Sequence, residues 1–365
     1  MLVAFASGDP VGRTLSRSIG ILVLTVGTVA TQNRLAIAQR GAPGGYAITE
    51  IGTLGGETSE AFGLNNLGDV VGAAATRAGD QHAFLYRTGQ ILDLGTLTGG
   101  SSSRANAIND RGDVIGYSAI NAFGPPFREL IQGFVWQNGA MRAVGALYCP
   151  CSFNVRYGTS MAFAVSDDGV VVGDSETSRE TFRGAFVWQD GTIRGFSFDG
   201  ATPGNSHAYG INDIHEIVGD ANDRAFLVRD RDRQDLGVLP GYLSSSARAV
   251  NNKGQVVGVS TNSAATRAFL WDLGRMRDLG TLAADASSEA RAINVMSDVV
   301  GRSGSTDFSE SRAVLWHDGV AIDLSGLVSE SGWTLSNATA INDLGQIVGA
   351  GVHDGRVRAF LLTPR

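Results

Sequence analysis

The chain has 365 residues, of which 43% are hydrophobic and 18% are charged, with 49 glycines and only 8 prolines. This composition excludes a disordered chain and is typical of a globular β-rich protein with many turns. The formal net charge of −7 at pH 7 argues against a non-specific nucleic-acid-binding protein, so we expect no nucleic-acid partner.

Residues 1–38 have the features of an export signal. Arg13 and Arg17 precede an uncharged apolar run from Ile19 to Ala30, and residues 36–38 read Ala-Ile-Ala, which suits signal peptidase. The run is too short to span a bilayer comfortably. We therefore expect cleavage near Ala38 and a secreted, periplasmic or cell-surface protein whose mature chain has no membrane span. A short membrane anchor is the alternative.

The rest of the sequence repeats a unit of two short apolar arms around a turn, which we call strand a and strand b. The second copy reads Ala-Asn-Ala-Ile-Asn-Asp-Arg-Gly-Asp-Val-Ile-Gly, and its Asn and Gly are typical of a tight turn. The seven copies run over residues 61–72, 105–116, 162–173, 208–219, 247–258, 290–301 and 338–349.

Two further strands follow each unit. Strand c, as in Ala83-Phe84-Leu85-Tyr86, is rich in β-branched and aromatic residues, which predicts a strand buried on both faces. After a polar hairpin, strand d reads Asp-Leu-Gly-Thr-Leu, as in residues 93–97 and 278–282. Four short antiparallel strands in roughly 40 to 50 residues are typical of a propeller blade.

The two ends of the sequence predict a closed ring. Residues 46–54 read as a strand d with nothing before it, and residues 338–362 supply strands a, b and c with no strand d after them. The first strand can therefore complete the last blade and leave no open sheet edge. We predict an all-β fold, a seven-bladed β-propeller of four-stranded antiparallel blades forming a single domain over residues 39–365, and we expect a monomer. Another closed or stacked β array is the alternative.

Loop lengths distinguish the two faces of this ring. The a–b and c–d turns keep one length throughout, whereas the b–c and d–a connections vary, and in a four-stranded meander these variable connections share a face. We call the two sides the constant face and the variable face. Variation confined to one face indicates a binding face, although neutral drift of exposed loops gives the same pattern.

Two insertions on the variable face, Ser118–Gln132 and Leu147–Ser160, are rich in aromatic residues and arginine. Such residues suit contact with a carbohydrate or a protein, and they also serve to pack a long loop. The candidate ligand-binding residues are Phe123, Phe127 and Arg128 in the first insertion, Tyr148, Phe153, Arg156 and Tyr157 in the second, and His207 and Trp333 in two other d–a loops.

The sequence contains no familiar catalytic, dinucleotide or phosphate-binding motif, and its five histidines are scattered. We therefore predict no catalytic residue, no metal site and no cofactor. Hairpin geometry explains the recurring Asn-Asp-x-Gly better than calcium binding does. The two cysteines, Cys149 and Cys151, could form a strained local disulfide, stay free, or serve a metal or intermolecular role.

Together, Asp-Leu-Gly-Thr-Leu, Ala-Ile-Asn-Asp-x-Gly-x-Val-x-Gly and His-Ala-Phe-Leu-Tyr (residues 82–86) resemble the HAF-repeat family of extracellular bacterial proteins. The resemblance covers residues 46–362 and implies export and a repeat fold. It implies no established reaction, cofactor or catalytic residue. In three copies of His-Ala-Phe-Leu-Tyr an arginine stands in place of the histidine, at Arg224, Arg267 and Arg358.

Three functional hypotheses follow. The first is an exported binding module or scaffold that recognises a glycan or protein partner through the variable face. The second is an extracellular polysaccharide-active hydrolase or lyase with its site over the central channel, which rests on analogy with other propellers. The third is a structural surface protein without a ligand. The sequence leaves open whether the protein is an enzyme, and it favours the non-enzymatic hypotheses.

Overall fold

The structure, a computed structural model, describes residues 44–121, 129–147, 158–176, 183–195, 205–230 and 232–365. These residues form seven four-stranded antiparallel sheets. In each sheet the strands a, b, c and d are hydrogen-bonded in that order, and each strand a contacts strand a of the next blade around the ring. The predicted seven-bladed propeller is therefore confirmed. The described residues include no helix that is long and apolar enough to cross a membrane.

The strand bounds follow the repeat. Blade 1 contains β2 (Gly55–Leu64), β3 (Val70–Thr76), β4 (Gln81–Arg87) and β5 (Gln90–Gly95); blade 2 contains β6 (Ser103–Ile108), β7 (Val114–Asn121), β8 (Glu129–Gln137) and β9 (Ala140–Ala143). Blade 3 contains β10 (Ser160–Val165), β11 (Val171–Glu176), β12 (Arg183–Gln189) and β13 (Thr192–Gly195); blade 4 contains β14 (Ser206–Ile211), β15 (Ile217–Ala221), β16 (Arg224–Arg229) and β17 (Asp232–Gly237). Blade 5 contains β18 (Ser244–Val250), β19 (Val256–Thr261), β20 (Thr266–Asp272) and β21 (Arg275–Asp278); blade 6 contains β22 (Ser287–Ile293), β23 (Val299–Gly304), β24 (Ser311–His317) and β25 (Val320–Asp323), followed by a 3₁₀ helix (Leu324–Leu327). Blade 7 contains β26 (Trp333–Ile341), β27 (Ile347–His353), β28 (Arg356–Pro364) and, as its outer strand, β1 (Tyr46–Glu50).

Strand β1 closes the ring as the sequence predicts. It pairs antiparallel with β28, with Ile48 opposite Leu362 and Glu50 opposite Phe360. Because the two ends of the chain share one blade, the ring cannot open without breaking this ladder.

The glycine that ends each a–b unit permits a close approach between strands. A Cβ at Gly72 would lie 2.0 Å from the carbonyl oxygen of Glu60 and 2.7 Å from the ring of Phe84. The equivalent glycines meet the same obstruction, for example at Gly173, where the carbonyl oxygen of Met161 would lie 2.0 Å away. The repeat therefore keeps glycine so that the strand-c phenylalanine can lie flat against strand b.

Every strand a carries a β-bulge. The a–b register shifts directly after the first alanine of each copy, as between Ala105 and Ala107 in blade 2 and between Ala247 and Ala249 in blade 5. A bulge leaves one residue unpaired and turns its side chain away from the ladder. Since strand a is the inner strand, the bulge residue faces the central channel.

Buried serines join neighbouring blades, a feature that the sequence analysis missed. The hydroxyl oxygen of Ser103 in blade 2 accepts the amide of Ala83 in blade 1 (2.8 Å) and donates to the carbonyl of Gly95 (2.5 Å). The same acceptor role recurs at six of the seven seams. The strand-c amides of Ala83, Gly133, Ala185, Ala225, Ala268 and Ala359 bond to Ser103, Ser160, Ser206, Ser245, Ser288 and Ser59.

We predict that Ser59→Ala destabilises the seam between blades 7 and 1. The buried amide of Ala359 would lose its acceptor, at a cost of about 1–3 kcal/mol. Chemical denaturation of the purified protein measures this change. Ser331→Ala, at an exposed position, is the matched control, and equal stabilities for the two variants would contradict the proposed role of the serine.

Candidate functional site

The mouth of the channel at the constant face is a polar belt made by the a–b turns. Within each turn the first Asn organises its own backbone: Oδ1 of Asn65 accepts the amides of Leu67 and Asp69. Its Nδ2 also donates to the carbonyl oxygen of Asn109 in the next blade, at 3.1 Å. The same bond links positions 109–166, 212–251, 251–294, 294–342 and 342–65. Position 166 is a serine, whose carbonyl accepts from Asn109 and whose hydroxyl donates to Asp168 of its own turn instead of to the next blade.

The residue after Asn65, and the equivalent residue of the other turns, forms a second ring of hydrogen bonds. The amide of Asn66 bonds to Asp110, that of Asp110 to Asp167, and so on around the mouth. The side chains at 110, 167, 213, 252, 343 and 66 each accept the amide of the preceding blade. Val295 interrupts the ring, because its side chain has no acceptor. The belt surrounds a cavity of about 230 Å³.

The belt carries four carboxylates that repel one another. Burial, together with the charges of Asp110 and Asp213, raises the pKa of Asp343 above its ordinary value. Burial likewise raises the pKa of Asp167. The described residues contain no group of His, Cys, Asp and Glu side chains that could hold a metal ion. Because the side chains of the belt hydrogen-bond the backbone of neighbouring blades, we read the belt as a structural clamp.

Toward the variable face, the channel wall opens into a groove between blades 1 and 2 of about 370 Å³. Glu60 and Phe62 of β2 line one side, and Arg104 of β6 and Tyr117 of β7 line the other. The Arg104 guanidinium lies 3.5 Å from the centroid of the Phe62 ring and its Nε donates to Asn106. Among the described residues, neither the Glu60 carboxylate nor the Tyr117 hydroxyl has a hydrogen-bond partner. The groove therefore offers one free anion and one free hydroxyl beside aromatic surface.

On the part of the wall formed by blades 3 and 4, His207 forms a dyad with a buried carboxylate. Its Nδ1 lies 2.6 Å from Oδ2 of Asp174, whose side chain is only 2% exposed. Arg183 bonds the other oxygen of Asp174 at 2.8 Å. The His207 ring stacks on Tyr209 with centroids 5.5 Å apart. The position of the dyad is therefore fixed by the ion pair of Asp174 with Arg183 and by the stacking of His207 on Tyr209.

The network continues into blade 5. Ser246 donates to Asp220 at 2.6 Å, and burial raises the pKa of that carboxyl. The guanidinium of Arg248 lies 4.4 Å from the centroid of the Tyr209 ring. Burial, with a contribution from Asp220, raises the pKa of Tyr209 to about 12. The phenol therefore stays protonated at neutral pH and remains a hydrogen-bond donor.

The structure places two of the candidate residues from the sequence. His207 is the second residue of β14 rather than part of the preceding loop. Trp333 begins β26 and stacks on His353 at 4.4 Å, so one face of its ring is covered. Phe123, Phe127, Arg128, Tyr148, Phe153, Arg156 and Tyr157, together with Cys149 and Cys151, lie outside the described residues, as do residues 1–38.

The insertion between β7 and β8 is largely strand. The two strands pair beyond Ser118 as far as Asn121 and Glu129, so only residues 122–128 connect them. Tyr117 of the groove lies in the same strand. This insertion therefore begins one residue after Tyr117 of the groove.

The first residue of the His-Ala-Phe phrase has a structural role. His82 lies 2.9 Å from Asp93 of strand d in the same blade, which explains why arginine replaces histidine in other copies. The equivalent pairs are Arg224–Asp235, Arg267–Asp278, Arg312–Asp323 and Arg358–Glu50. The charge of strand c is thus matched by an acid on strand d.

Fold and channel together define a seven-bladed β-propeller with an asymmetric polar channel. A family model described as "Protein of unknown function (DUF3466)" matches residues 101–359. The match covers more than half of the chain, so the chain belongs to this family. The resemblance to the HAF-repeat family is not tested by this match and stays a prediction. No curated protein matches the sequence.

Solved structures share the fold at low sequence identity. A puromycin-hydrolyzing peptidase of Mycobacterium tuberculosis is 12% identical with a TM-score of 0.49, over 87% of this chain and 56% of that one. The extracellular domain of a hybrid two component system of B. thetaiotaomicron is 10% identical with a TM-score of 0.52, over 86% and 39%. An acylaminoacyl peptidase of Pyrococcus horikoshii is 12% identical with a TM-score of 0.46, over 78% and 48%. The chain spans little more than half the length of the first of these proteins, and the likeness concerns the fold alone.

We predict that Asp343→Asn stabilises the protein at pH 7. The pKa of Asp343 is raised in the folded state, so its ionised form opposes folding above the pKa of the unfolded chain. Asparagine keeps the Oδ1 acceptor, as it does naturally at Asn66 and Asn252. We expect a gain of up to about 1 kcal/mol at pH 7.

The gain should shrink as the pH falls and Asp343 becomes protonated. Urea denaturation of both proteins at pH 7 and near pH 3 measures this difference. A variant that is less stable than the wild type at pH 7 would show that the carboxylate itself supports the belt.

Proposed function

We propose that this protein is an exported β-propeller binding module that recognises a glycan at the variable-face end of its channel. The observation that carries the proposal is the groove between blades 1 and 2, where Glu60 and Tyr117 have no hydrogen-bond partner among the described residues. Its volume of about 370 Å³ falls within the range of small-ligand sites.

The chemistry of the groove suits a sugar. The carboxylate of Glu60 accepts hydrogen bonds from two hydroxyls, the Tyr117 hydroxyl both donates and accepts, and Arg104 supplies further donors. The side chains of Phe62 and Tyr117 offer aromatic surface for the apolar face of a ring. A protein partner remains a second possible occupant of the variable face, and a peptide array run in parallel with a glycan array distinguishes the two.

Export is part of the same proposal. It is supported by the signal-like composition of residues 1–38. Detection of the mature protein in the periplasm or medium, with its N-terminus following Ala38, would support it.

We predict that Glu60→Gln and Tyr117→Phe each weaken glycan binding about tenfold or more. Glu60→Gln keeps the side-chain shape but removes the charge and replaces one acceptor oxygen by an NH2 donor, and bonds to charged groups contribute roughly 1.5–3 kcal/mol. Tyr117→Phe removes the hydroxyl and leaves its partner on the ligand unpaired, at a cost of about 1–3 kcal/mol. The ligand is first selected from a glycan array with the mature protein, and its affinity for each variant is then measured by titration calorimetry.

Glu310→Gln is the matched control, since Glu310 is exposed in the variable-face loop between β23 and β24 of blade 6. Wild-type affinity in both groove variants would refute the assignment of the groove.

A catalytic function is favoured by one specific observation, the His207–Asp174 dyad beside the protonated Tyr209. A histidine oriented by a carboxylate is a competent proton acceptor, so cleavage of an extracellular polysaccharide is the second candidate function.

We predict that, if the protein cleaves a polysaccharide, His207→Gln lowers kcat at least a hundredfold and leaves glycan binding in the groove unchanged. Release of reducing ends or of unsaturated products from a panel of polysaccharides measures the activity. An active His207→Gln variant would exclude the dyad from the chemistry.

A further inference from the structure

The part of the channel wall formed by blades 5 and 6 holds more positive than negative charge. Three guanidiniums, those of Arg248, Arg291 and Arg302, lie near two carboxylates, those of Asp220 and Glu289. This local excess stands out in a chain whose formal net charge is −7. We call these five residues the arginine wall.

Glu289 is shared between two of the arginines. Its Oε2 accepts Nη2 of Arg291 at 3.1 Å and Nε of Arg302 at 2.8 Å. Desolvation raises the pKa of Glu289, but the guanidiniums of Arg291, Arg302 and Arg248 outweigh it and hold the pKa below its ordinary value. One carboxylate therefore neutralises only one of the two cations.

Arg248 forms no salt bridge with a carboxylate of the described residues. Its guanidinium lies over the Tyr209 ring, at 4.4 Å from the centroid, and hydrogen-bonds that side chain. Asp220 and Glu289 interact with Arg248 electrostatically, and Asp220 accepts a hydrogen bond from Ser246. A guanidinium carries five N–H donors, so Arg248 retains donors for a ligand in the channel.

Two buried donors of the wall lack an acceptor. The Nε atoms of Arg248 and Arg291 are shielded from solvent and have no hydrogen-bond partner in the described part of the structure. Desolvation lowers the pKa of Arg291 despite its bond to Glu289. Its side chain is nevertheless 29% exposed, so a ligand can reach part of it. A buried cation with unmet donors is costly unless an anion offsets it.

We propose that the arginine wall is an anion subsite that receives a carboxylate of the glycan, so that the ligand is an acidic polysaccharide. This inference rests on the proposed function and adds the charge of the ligand to it. Guanidinium groups recognise carboxylates with two parallel hydrogen bonds, and Arg248 and Arg291 stand on adjacent inner strands, β18 and β22. The Tyr209 phenol, protonated at neutral pH, supplies a further donor beside them.

The test uses paired glycans that differ only in charge. Oligosaccharides of uronic acids and the same oligosaccharides with their carboxyls methyl-esterified are titrated into the mature protein at low salt. We expect the acidic member of a pair to bind at least tenfold more tightly than its ester. Neutral oligosaccharides to which sulfate groups have been added form a third arm. If only these bound, the subsite would recognise sulfate and not carboxylate, and the proposal would be overturned.

The variants Arg248→Met and Arg291→Met keep the aliphatic length of the side chain and remove its charge. Each should lose at least tenfold in affinity for the acidic glycan and stay within twofold of the wild type for the ester. Arg248→Lys should lie between Arg248→Met and the wild type. Arg142→Met, at an exposed position in blade 2, is the matched control and should bind as the wild type does.

The outcomes separate this inference from the proposed function. Equal affinity of the acid and its ester for the wild-type protein would overturn the anion subsite and leave the groove as a site for neutral glycans. Binding of no glycan in any arm would overturn both. The wild-type comparison of acid with ester does not depend on any variant folding, and thermal melting curves check that the variants are folded.

Discussion

The ring depends on hydrogen bonds that side chains make across the seams between blades. Adjacent blades share no backbone ladder, so their apolar faces alone would leave the relative position of the sheets poorly defined. Ser103 and its equivalents bond across six of the seven seams at one end of the inner strands, and Asn65 and its equivalents bond across six of the seven at the other end. Each of these bonds satisfies a buried backbone group that would otherwise cost about 1–3 kcal/mol. Strand a is therefore clamped at both of its ends.

Clamping both ends frees the residues between them to vary. The bulge residue of strand a and the residue before its first alanine face the channel and belong to neither clamp. In blade 4 these positions hold Tyr209 and His207, and in blade 5 they hold Arg248 and Ser246. The symmetric positions thus build the scaffold, while the positions that differ from blade to blade give the channel its chemistry. The residues of the belt at the constant face repeat from blade to blade, whereas the residues of the channel wall near the variable face differ.

The sequence predicted the ring because its signals are local and repeated seven times. Turn residues, the spacing of the strands and the two complementary ends required no knowledge of tertiary contacts. The serines were missed although they stand two residues before each first alanine, because a hydroxyl gives no sign of its partner. Apart from His207, the channel residues were missed for another reason. Alternation along a strand does not reveal which strand is innermost, and the bulge changes which side chains face the axis.

An acidic protein that binds an acidic glycan must recognise it at short range. The net charge of −7 repels an anion at a distance, although physiological salt limits that repulsion to about 8 Å. At the arginine wall positive charge exceeds negative charge, because Arg248 forms no salt bridge among the described residues and Arg291 shares Glu289 with Arg302. Ion pairs formed there are partly shielded from salt and gain strength from the lower dielectric. Selectivity for charge would then lie in the rate at which the bound glycan leaves rather than in the rate at which it arrives.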